Sequence, residues 1–353
     1  TKENPKTVEE AISCKVDALG WGDATVKEGE AVNPPASAGK TLARKLKINQ
    51  QGELNYIDTD NNQFDFEIQE PTPKAINKHH YSDLDEDFII DSYDPETIVN
   101  KEITLAAGEY NFKDLIIESG AQLLLSSDFS LEGFKGTKIN AQNFILNENS
   151  SISADGNGYL ANQGSGAGKT DETGGGACSG YNYCRFGSGA GYGGRGGEGG
   201  YTSCFASVES SLSYDFLKEP LDLGSGGGGE TAGAGGGAIA IEAFEKITLN
   251  GQISSNGKDG IKYGACGGSG GGSGGSIYII TDALEGTGQI SANGGSGYDG
   301  LGGGGAGGRI AIYYNLKDTF TGNIQAFGGQ GYKSGGPGTI FLKSTSQEYG
   351  DLI

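Results

Sequence analysis

The sequence predicts an all-β protein: a parallel β-helix or solenoid with ordered, polyglycine-II-like glycine runs, preceded by a mainly β N-terminal region. Three observations carry this reading. Glycine supplies 67 of the 353 residues, against about 7% in ordinary chains. Short apolar runs recur from residue 103 without the 3.6-residue period of an amphipathic helix. Two sequence landmarks also return together, in the same order, through the second half of the chain.

Residues 1–100 form a region of different character. They hold 5 glycines, 6 of the 8 prolines, and 20 acidic against 10 basic residues. Residues 8–19 carry a faint helical pattern through Val8, Ala11 and Ile12. Thr41–Asn49 and Glu53–Asp58 read as strands separated by the turn signal Gln50-Gln51-Gly52. Phe64–Ile68 alternates apolar and polar residues, as a half-buried strand does, and Pro71 and Pro73 end it. This acidic region is expected to cap the following domain or to dock onto a neighbour.

The glycine-rich domain is expected over 101–353. Glu102–Ala106, Leu115–Glu118, Gln122–Leu125, Lys138–Ala141, Phe144–Leu146 and Ser151–Ala154 are its first predicted strands. The first landmark is Gly251-Gln252-Ile253-Ser254-Ser255-Asn256-Gly257, repeated at Gly288–Gly294 and Gly322–Gly328, with an earlier copy at Ser151–Gly156. The second is a glycine run followed by a strand, at Gly237–Ile241, Gly275–Ile279, Gly308–Ile312 and Gly338–Leu342. A coil of 30–38 residues would contribute two or three short strands, its inward Ile, Leu and Ala stacking on those of the next coil. About seven such coils at the strand spacing give a rod on the order of 35 Å long.

The runs 224–237, 267–275 and 302–308 come once per coil and are expected to lie side by side. Unordered glycine is costly in backbone entropy, and an extended run has amides that need lateral partners, so an ordered polyglycine-II-like sheet or bundle is predicted. Residues 157–230 interrupt the repeat as an insertion bearing Tyr181, Tyr183, Phe186, Tyr192, Tyr201 and Phe205. These aromatics are expected either to form a binding face or to cover the rod.

The units Gly272–Ile280 (GSGGSIYII) and Gly302–Tyr313 (GGGGAGGRIAIY) resemble those of glycine-rich parallel β-helix proteins found on or outside cells. The broader architecture resembles the pectin-lyase-like right-handed β-helix over roughly 103–345. The resemblance implies an architecture and an extracellular or surface location, not an activity.

Charge and composition exclude several classes. A formal charge of −20 with no offsetting basic patch argues against nucleic acid and anionic membrane, and no apolar run is long enough to span a bilayer. The absence of methionine suggests a removed targeting segment or a trimmed chain. Cys14, Cys178, Cys184, Cys204 and Cys266 lack zinc-site spacing. Cys178, Cys184, Cys204 and Cys266 are disulfide candidates in an oxidising compartment, with buried free thiols as the alternative.

Asp83, Asp85 and Asp87 alternate as at the start of a calcium loop but lack its sixth-position glycine, as do Asp58, Asp60 and Asn62. Apart from calcium there, no cofactor is expected. Adjacent His79 and His80 point to opposite sides of an extended chain and make a poor ligand pair. Gly166–Thr170 ends in Gly-Lys-Thr without the upstream glycine of a phosphate loop. Asn149 is a glycosylation candidate in Asn149-Ser150-Ser151. Asp155, Asp259, Asp282 and Asp299 sit singly, and Arg185, Arg195 and Arg309 have no carboxylate cluster nearby in sequence.

These features predict a non-enzymatic extracellular structural protein, a filament or surface-fibre subunit whose partner is itself, head to tail. No capping helix follows Ile340–Lys343, which favours open ends. The alternatives are an adhesin binding glycans or another surface protein through 157–230, and a polysaccharide lyase or glycosidase.

Overall fold

A computed structural model describes residues 97–171, 184–201, 206–263 and 267–353, together with 19, 30–32, 40–44, 46–48, 54–56, 62–69 and 79–81 of the N-terminal region. The chain is nearly all β and divides into two compact units, one of Thr1–Pro95 with Glu109–Asn111, the other of Glu96–Gly108 with Phe112–Ile353.

The first unit holds strands β1 (Thr41–Arg44), β2 (Leu46–Ile48), β3 (Leu54–Tyr56), β4 (Phe66–Gln69) and β5 (His79–Tyr81). β1 pairs antiparallel with β4, with the Arg44 guanidinium 4.6 Å from the Phe66 ring centre. β2 pairs antiparallel with β3 and parallel with β5. The strand predicted over Phe64–Ile68 begins later than expected. Asn62–Asp65 forms one helical turn (α1), with Asn62 and Asp65 buried, and extended structure starts at Phe66. The helix pattern over 8–19 lies outside the described residues.

The second unit contains β6 (Thr97–Val99), β7 (Glu102–Leu105), β8 (Gly108–Asn111, most of which belongs to the first unit), β9 (Asp114–Ile117), β10 (Gln122–Leu125), β11 (Thr137–Leu146) and β12 (Ser151–Ser153). The short pairs β13 (Gly199–Tyr201) with β14 (Ala206–Val208) and β17 (Lys262–Tyr263) with β18 (Gly267–Gly268) are antiparallel. Between and after them run β15 (Ala238–Leu249), β16 (Gln252–Ser254), β19 (Ser276–Gly286), β20 (Gln289–Ser291), β21 (Arg309–Phe320), β22 (Asn323–Gln325), β23 (Thr339–Ser344) and β24 (Asp351–Leu352).

Two parallel sheets are visited alternately by the chain. One has the order β22-β20-β16-β12-β10-β7; the other runs β23-β21-β19-β15-β11, with β9 also on β11. In the first, Ile103, Leu123, Ile152, Ile253, Ile290 and Ile324 are successive Cα partners. In the second, Ile239, Ile277, Ile310 and Ile340 form one column, and Ile241, Ile279, Ile312 and Leu342 another. All of these except half-buried Ile324 are buried, each contributing about 1.5–3 kcal/mol of apolar transfer. The six layers of the first sheet are one fewer than the coil length suggested.

The long strands exceed the predicted runs because bulges, not breaks, separate their halves. Lys138–Ala141 and Phe144–Leu146 belong to a single strand whose register shifts between Ala141 and Asn143, and β15 and β19 shift likewise. A second difference lies at β23, where an open edge was expected. β24 pairs antiparallel with β23, and Ile340 and Ile353 exchange N–H···O bonds of 3.1 and 2.9 Å. A strand of two residues does for this edge what no capping helix does.

The glycine runs are ordered. Around 268–275, bonds leave and arrive with a three-residue period. Gly270 and Ser273 donate to Gly228 and Ser225, Gly271 and Gly274 to Gly303 and Ala306, and Gly272 and Gly275 to Lys258 and Ser255, at 2.8–3.0 Å. Gly187 and Ala190 donate to Gly268 and Gly271, Gly233 and Gly236 to Gly270 and Ser273, and Tyr298 and Gly295 to Ser269 and Gly272. One run is thus bonded to six neighbouring segments. The neighbouring run does the same: Gly303 and Ala306 donate to Gly187 and Ala190, Gly304 and Gly307 to Lys333 and Gly336, and Gly305 and Gly308 to Gly295 and Ala292. A three-residue turn without internal bonds is polyproline-II geometry, whose amides must find lateral partners.

The segments approach so closely that side chains are excluded. A methyl group on Gly187 would overlap the Gly228 carbonyl, and one on Gly272 the Ala234 carbonyl. The insertion does not stand apart from this array. Residues 158–168 and 187–197 are woven into it, as when Gly168 donates to Gly226 at 2.9 Å and Gly197 to Gly304 at 2.8 Å.

Candidate functional site

The strongest concentration of polar and aromatic groups lies where residues 209–223 cross the outer side of β19, β21 and β23. The side chains of a strand alternate between faces, so while Ile277 and Ile310 face the core, Ser276, Arg309 and Tyr278 face the crossing segment. Tyr192 comes up from the glycine array and is fully buried. Its hydroxyl donates to Asp215 Oδ2 at 2.5 Å and lies against Ser276 Oγ, which itself donates to the Asp222 carbonyl at 2.5 Å. The rings of Tyr192 and Tyr214 pack with centres 4.7 Å apart.

Arg309, 8% exposed, binds the segment from below. Its Nε and Nη2 donate to the Tyr214 carbonyl at 3.0 and 2.7 Å, and its Nη1 donates to Thr339 Oγ1 at 3.1 Å. Tyr214 donates to the Leu223 carbonyl at 2.6 Å and lies 2.7 Å from Ser225 Oγ. Further along, the Tyr313 hydroxyl donates to the Lys218 carbonyl at 2.9 Å, and the Lys218 ammonium lies 5.9 Å from the Phe341 ring centre. The segment therefore fastens three consecutive long strands. Asp215 sits at φ 67°, a left-handed turn that Asp tolerates better than most residues.

Burial dominates the electrostatics. It holds the Tyr192 and Tyr214 hydroxyls well above the ordinary tyrosine range, the Asp215 charge adding to the shift of Tyr192. Burial, then the neighbouring Asp215, raises Asp222. Tyr278 is pushed up to about 12 by burial, then by Glu219. Tyr192 and Tyr214 are thereby kept neutral, and their hydroxyls make hydrogen bonds that tie the crossing segment to the glycine array and to β19. Shifted groups also cluster at active sites; here the Tyr192 and Tyr214 hydroxyls, Ser276 Oγ and the Arg309 guanidinium are engaged by backbone or neighbouring side-chain partners.

The single carboxylates found in the sequence serve the stack in the same way. Asp155 Oδ1 accepts the Asn256 N–H at 2.6 Å, Asn256 Oδ1 that of Asn293 at 2.7 Å, and Asn293 Oδ1 that of Phe327 at 2.7 Å, giving a ladder that follows the strands β12, β16, β20 and β22. Asp259 Oδ1 accepts the Ser296 N–H at 2.6 Å, and Asp282 accepts from Asn315. Asp299 lies in a tight turn at φ 46°. In Gly166–Thr170, the N–H groups of Gly166 and Lys169 bind Ser225 and Ser188 hydroxyls, and Lys169 pairs with Glu209 at 2.8 Å. They are not free to cradle phosphate.

Of the other candidates, Cys184 is buried and disulfide-bonded, while Cys14, Cys178, Cys204 and Cys266 lie outside the described residues. Asp83, Asp85 and Asp87 also lie outside them, as do Asp58 and Asp60. Among the described residues no group of His, Cys, Asp and Glu is arranged to hold a metal ion. Asn149 is exposed on the turn between β11 and β12 at φ 61°. His79 and His80 lie side by side in β5. Phe186 and Tyr192 of the insertion are buried rather than displayed; Tyr181, Tyr183 and Phe205 lie outside the described residues.

The crossing segment went unseen in the sequence because its partners are single residues far apart in the chain. No helix among the described residues is long and apolar enough to cross a membrane. Comparison with protein-family models, curated proteins and solved structures found no match to this chain.

Proposed function

We propose that this chain is a non-enzymatic structural protein of the extracellular space or cell surface, a module of a surface fibre built as a β-solenoid and buttressed by a polyglycine-II-like lattice. The observation that carries the reading is the bonding of the 268–275 run to six neighbouring segments with a three-residue period. Such a lattice spends nearly every backbone amide on cohesion and excludes side chains from its interior, which suits a load-bearing body better than a substrate cleft. The alternation of the chain between two in-register parallel sheets supports the solenoid. The disulfide at Cys184 supports an oxidising compartment.

Negative-stain microscopy combined with limited proteolysis tests this reading. Uniform compact particles, with residues 97–171, 184–201, 206–263 and 267–353 resistant to protease, are expected. Rapid cleavage within 224–237 or 302–308, or turnover of acidic polysaccharides by the purified protein, would refute it.

A partner-binding role is the second reading. It is favoured by Leu212 and Phe216, 60% and 79% exposed on the crossing segment. Binding on a glycan or receptor array that is lost on changing both residues to Ser would support it.

A further inference from the structure

Seven junctions in the sequence place glycine directly after Asn or Asp, four as Asn-Gly and three as Asp-Gly. These are chemically the weakest links of a polypeptide. With no glycine side chain in the way, the glycine nitrogen reaches the preceding side-chain carbonyl carbon. The attack closes a cyclic succinimide, but only after the backbone at the Asn or Asp has rotated. What holds a junction therefore decides whether it reacts.

The fold holds six of the seven. At each, the glycine N–H donates to a backbone carbonyl far away in the chain: Gly156 to Asn256, Gly158 to Gly235, Gly251 to Leu146, Gly257 to Asn293, Gly260 to Ser296 and Gly294 to Phe327, at 2.7–3.0 Å. Five of the six also have the side-chain oxygen tied. Asp155, Asn256 and Asn293 are the ladder acceptors, Asp259 Oδ1 accepts the Ser296 N–H, and Asn250 Oδ1 accepts the Thr287 N–H at 3.2 Å. Rotation at any of these breaks bonds between neighbouring layers, so reaction there waits on local opening of the array.

Asp299-Gly300 is built differently. Both residues are exposed, with φ 46° and ψ 34° at Asp299 and φ 68° at Gly300. This left-handed backbone is one that Asp tolerates rather than prefers. A methyl group on Gly300 would meet nothing within 4 Å. The turn is closed locally, by the Leu301 and Gly302 N–H groups on the Tyr298 carbonyl at 2.8 and 3.1 Å. Its long-range anchors lie outside the pair: Tyr298 donates to Ser269 and Gly303 to Gly187, both at 3.0 Å. The two residues can rotate while the anchors on either side stay made.

We propose that Asp299 is a modification site, the junction of the seven at which the folded protein forms isoaspartate. The Gly300 nitrogen bonds to Cγ of the protonated Asp299 carboxyl, the Cγ–OH bond breaks, and the hydroxyl leaves with the amide proton as water. Water then adds to the succinimide. Where it cleaves the bond from the Gly300 nitrogen to the Asp299 main-chain carbonyl carbon, the chain runs on through Cγ and the old carbonyl becomes a free carboxylate. The water lost is regained, and the step needs no oxidant or second protein. The product carries an extra methylene in the backbone of an exposed turn whose anchors at Tyr298 and Gly303 remain, so the coils keep their bonds. Its new carboxylate is a substrate for S-adenosylmethionine-dependent isoaspartyl methyltransferases.

The test ages the full chain, folded, in mildly acidic buffer beside a sample unfolded in guanidinium. Peptide mapping with electron-transfer fragmentation locates isoaspartate, and an isoaspartyl methyltransferase with labelled S-adenosylmethionine counts it. In the folded protein isoaspartate is expected at 299, at close to its rate in the unfolded chain. The four Asn-Gly junctions deamidate at least about a hundredfold more slowly folded than unfolded, because they wait on opening. Asp299→Ala removes the methyl acceptance of the folded protein. Asp299→Asn puts a faster-reacting Asn-Gly in the same turn and deamidates at close to its unfolded rate. No isoaspartate at 299 in the folded protein while the unfolded chain forms it, or methyl acceptance unchanged by Asp299→Ala, would overturn the site. Isoaspartate forming at Asp155 or Asp259 as fast as at Asp299 would do the same.

Discussion

Replacing Gly272 by Ala separates an ordered glycine lattice from a set of flexible loops by the sign of its effect. In a flexible loop Gly→Ala stabilises by about 0.4–1 kcal/mol, because the unfolded chain loses freedom. In the lattice the new methyl would overlap the Ala234 carbonyl oxygen, a backbone atom that cannot rotate away. The 233–236 segment must retreat, stretching the bonds from Gly233 to Gly270 (3.0 Å) and from Gly236 to Ser273 (2.9 Å). Overpacking costs about 1–3 kcal/mol and each weakened bond about 1 kcal/mol. After the unfolded-state offset the net loss is about 3 kcal/mol. At about 2–4 °C per kcal/mol for a unit of this size, Tm falls by roughly 6–12 °C. Gly120→Ala is the comparator: it meets no atom within 4 Å but sits at φ 87°, so strain alone costs about 1–2 kcal/mol. Thermal and urea unfolding of both variants measure the difference. A Gly272→Ala protein as stable as the parent, or more stable, would refute the lattice.

Four other outcomes follow from the same bonds. Asn293→Ala strands the Phe327 N–H and should cost about 1–2 kcal/mol in urea unfolding, whereas Asn256→Asp should be nearly neutral, since Asp155 already fills that ladder role. Tyr192→Phe removes the buried donor to Asp215 and should destabilise by about 1–3 kcal/mol. The raised pKa values of Tyr192, Tyr214 and Tyr278 mean that the folded state favours the neutral phenols. Their contribution is complete below the ordinary tyrosine pKa of about 10 and declines above it, so ultraviolet titration should show these phenols ionising only beyond the exposed ones, with unfolding. Asp222 is raised in the same sense, so its charge opposes folding at neutral pH; Asp222→Asn should raise Tm at pH 7, with the gain fading as the pH falls below the carboxylate range.

The repeat was legible because stacking asks for the same residue at each level. Ile253 and Ile290 are buried in one column with Ile324 at its half-buried end, and a shift of one residue in register would break that column. The lattice was legible as composition, since positions such as Gly187 and Gly272 admit no side chain. Strand lengths were misread because the bulge at Ala141–Asn143 looks like a break when pairing cannot be seen. Asp351–Leu352 is too short to show a period and is a strand only because β23 offers it an edge. Over Phe64–Ile68 the alternating pattern lost to a helical turn with Asn62 and Asp65 buried. The crossing segment was invisible for another reason: Tyr192, Asp215, Ser276 and Arg309 each occur once, and only the folded chain brings them together.

Scalar couplings transmitted through hydrogen bonds in the deuterated protein give the most direct examination of the glycine array. Couplings are expected from Gly270 and Ser273 nitrogens to Gly228 and Ser225 carbonyl carbons, from Gly271 and Gly274 to Gly303 and Ala306, and from Gly272 and Gly275 to Lys258 and Ser255. Partners that change with a two-residue period, as in an ordinary sheet, or no couplings between these segments, would contradict the account.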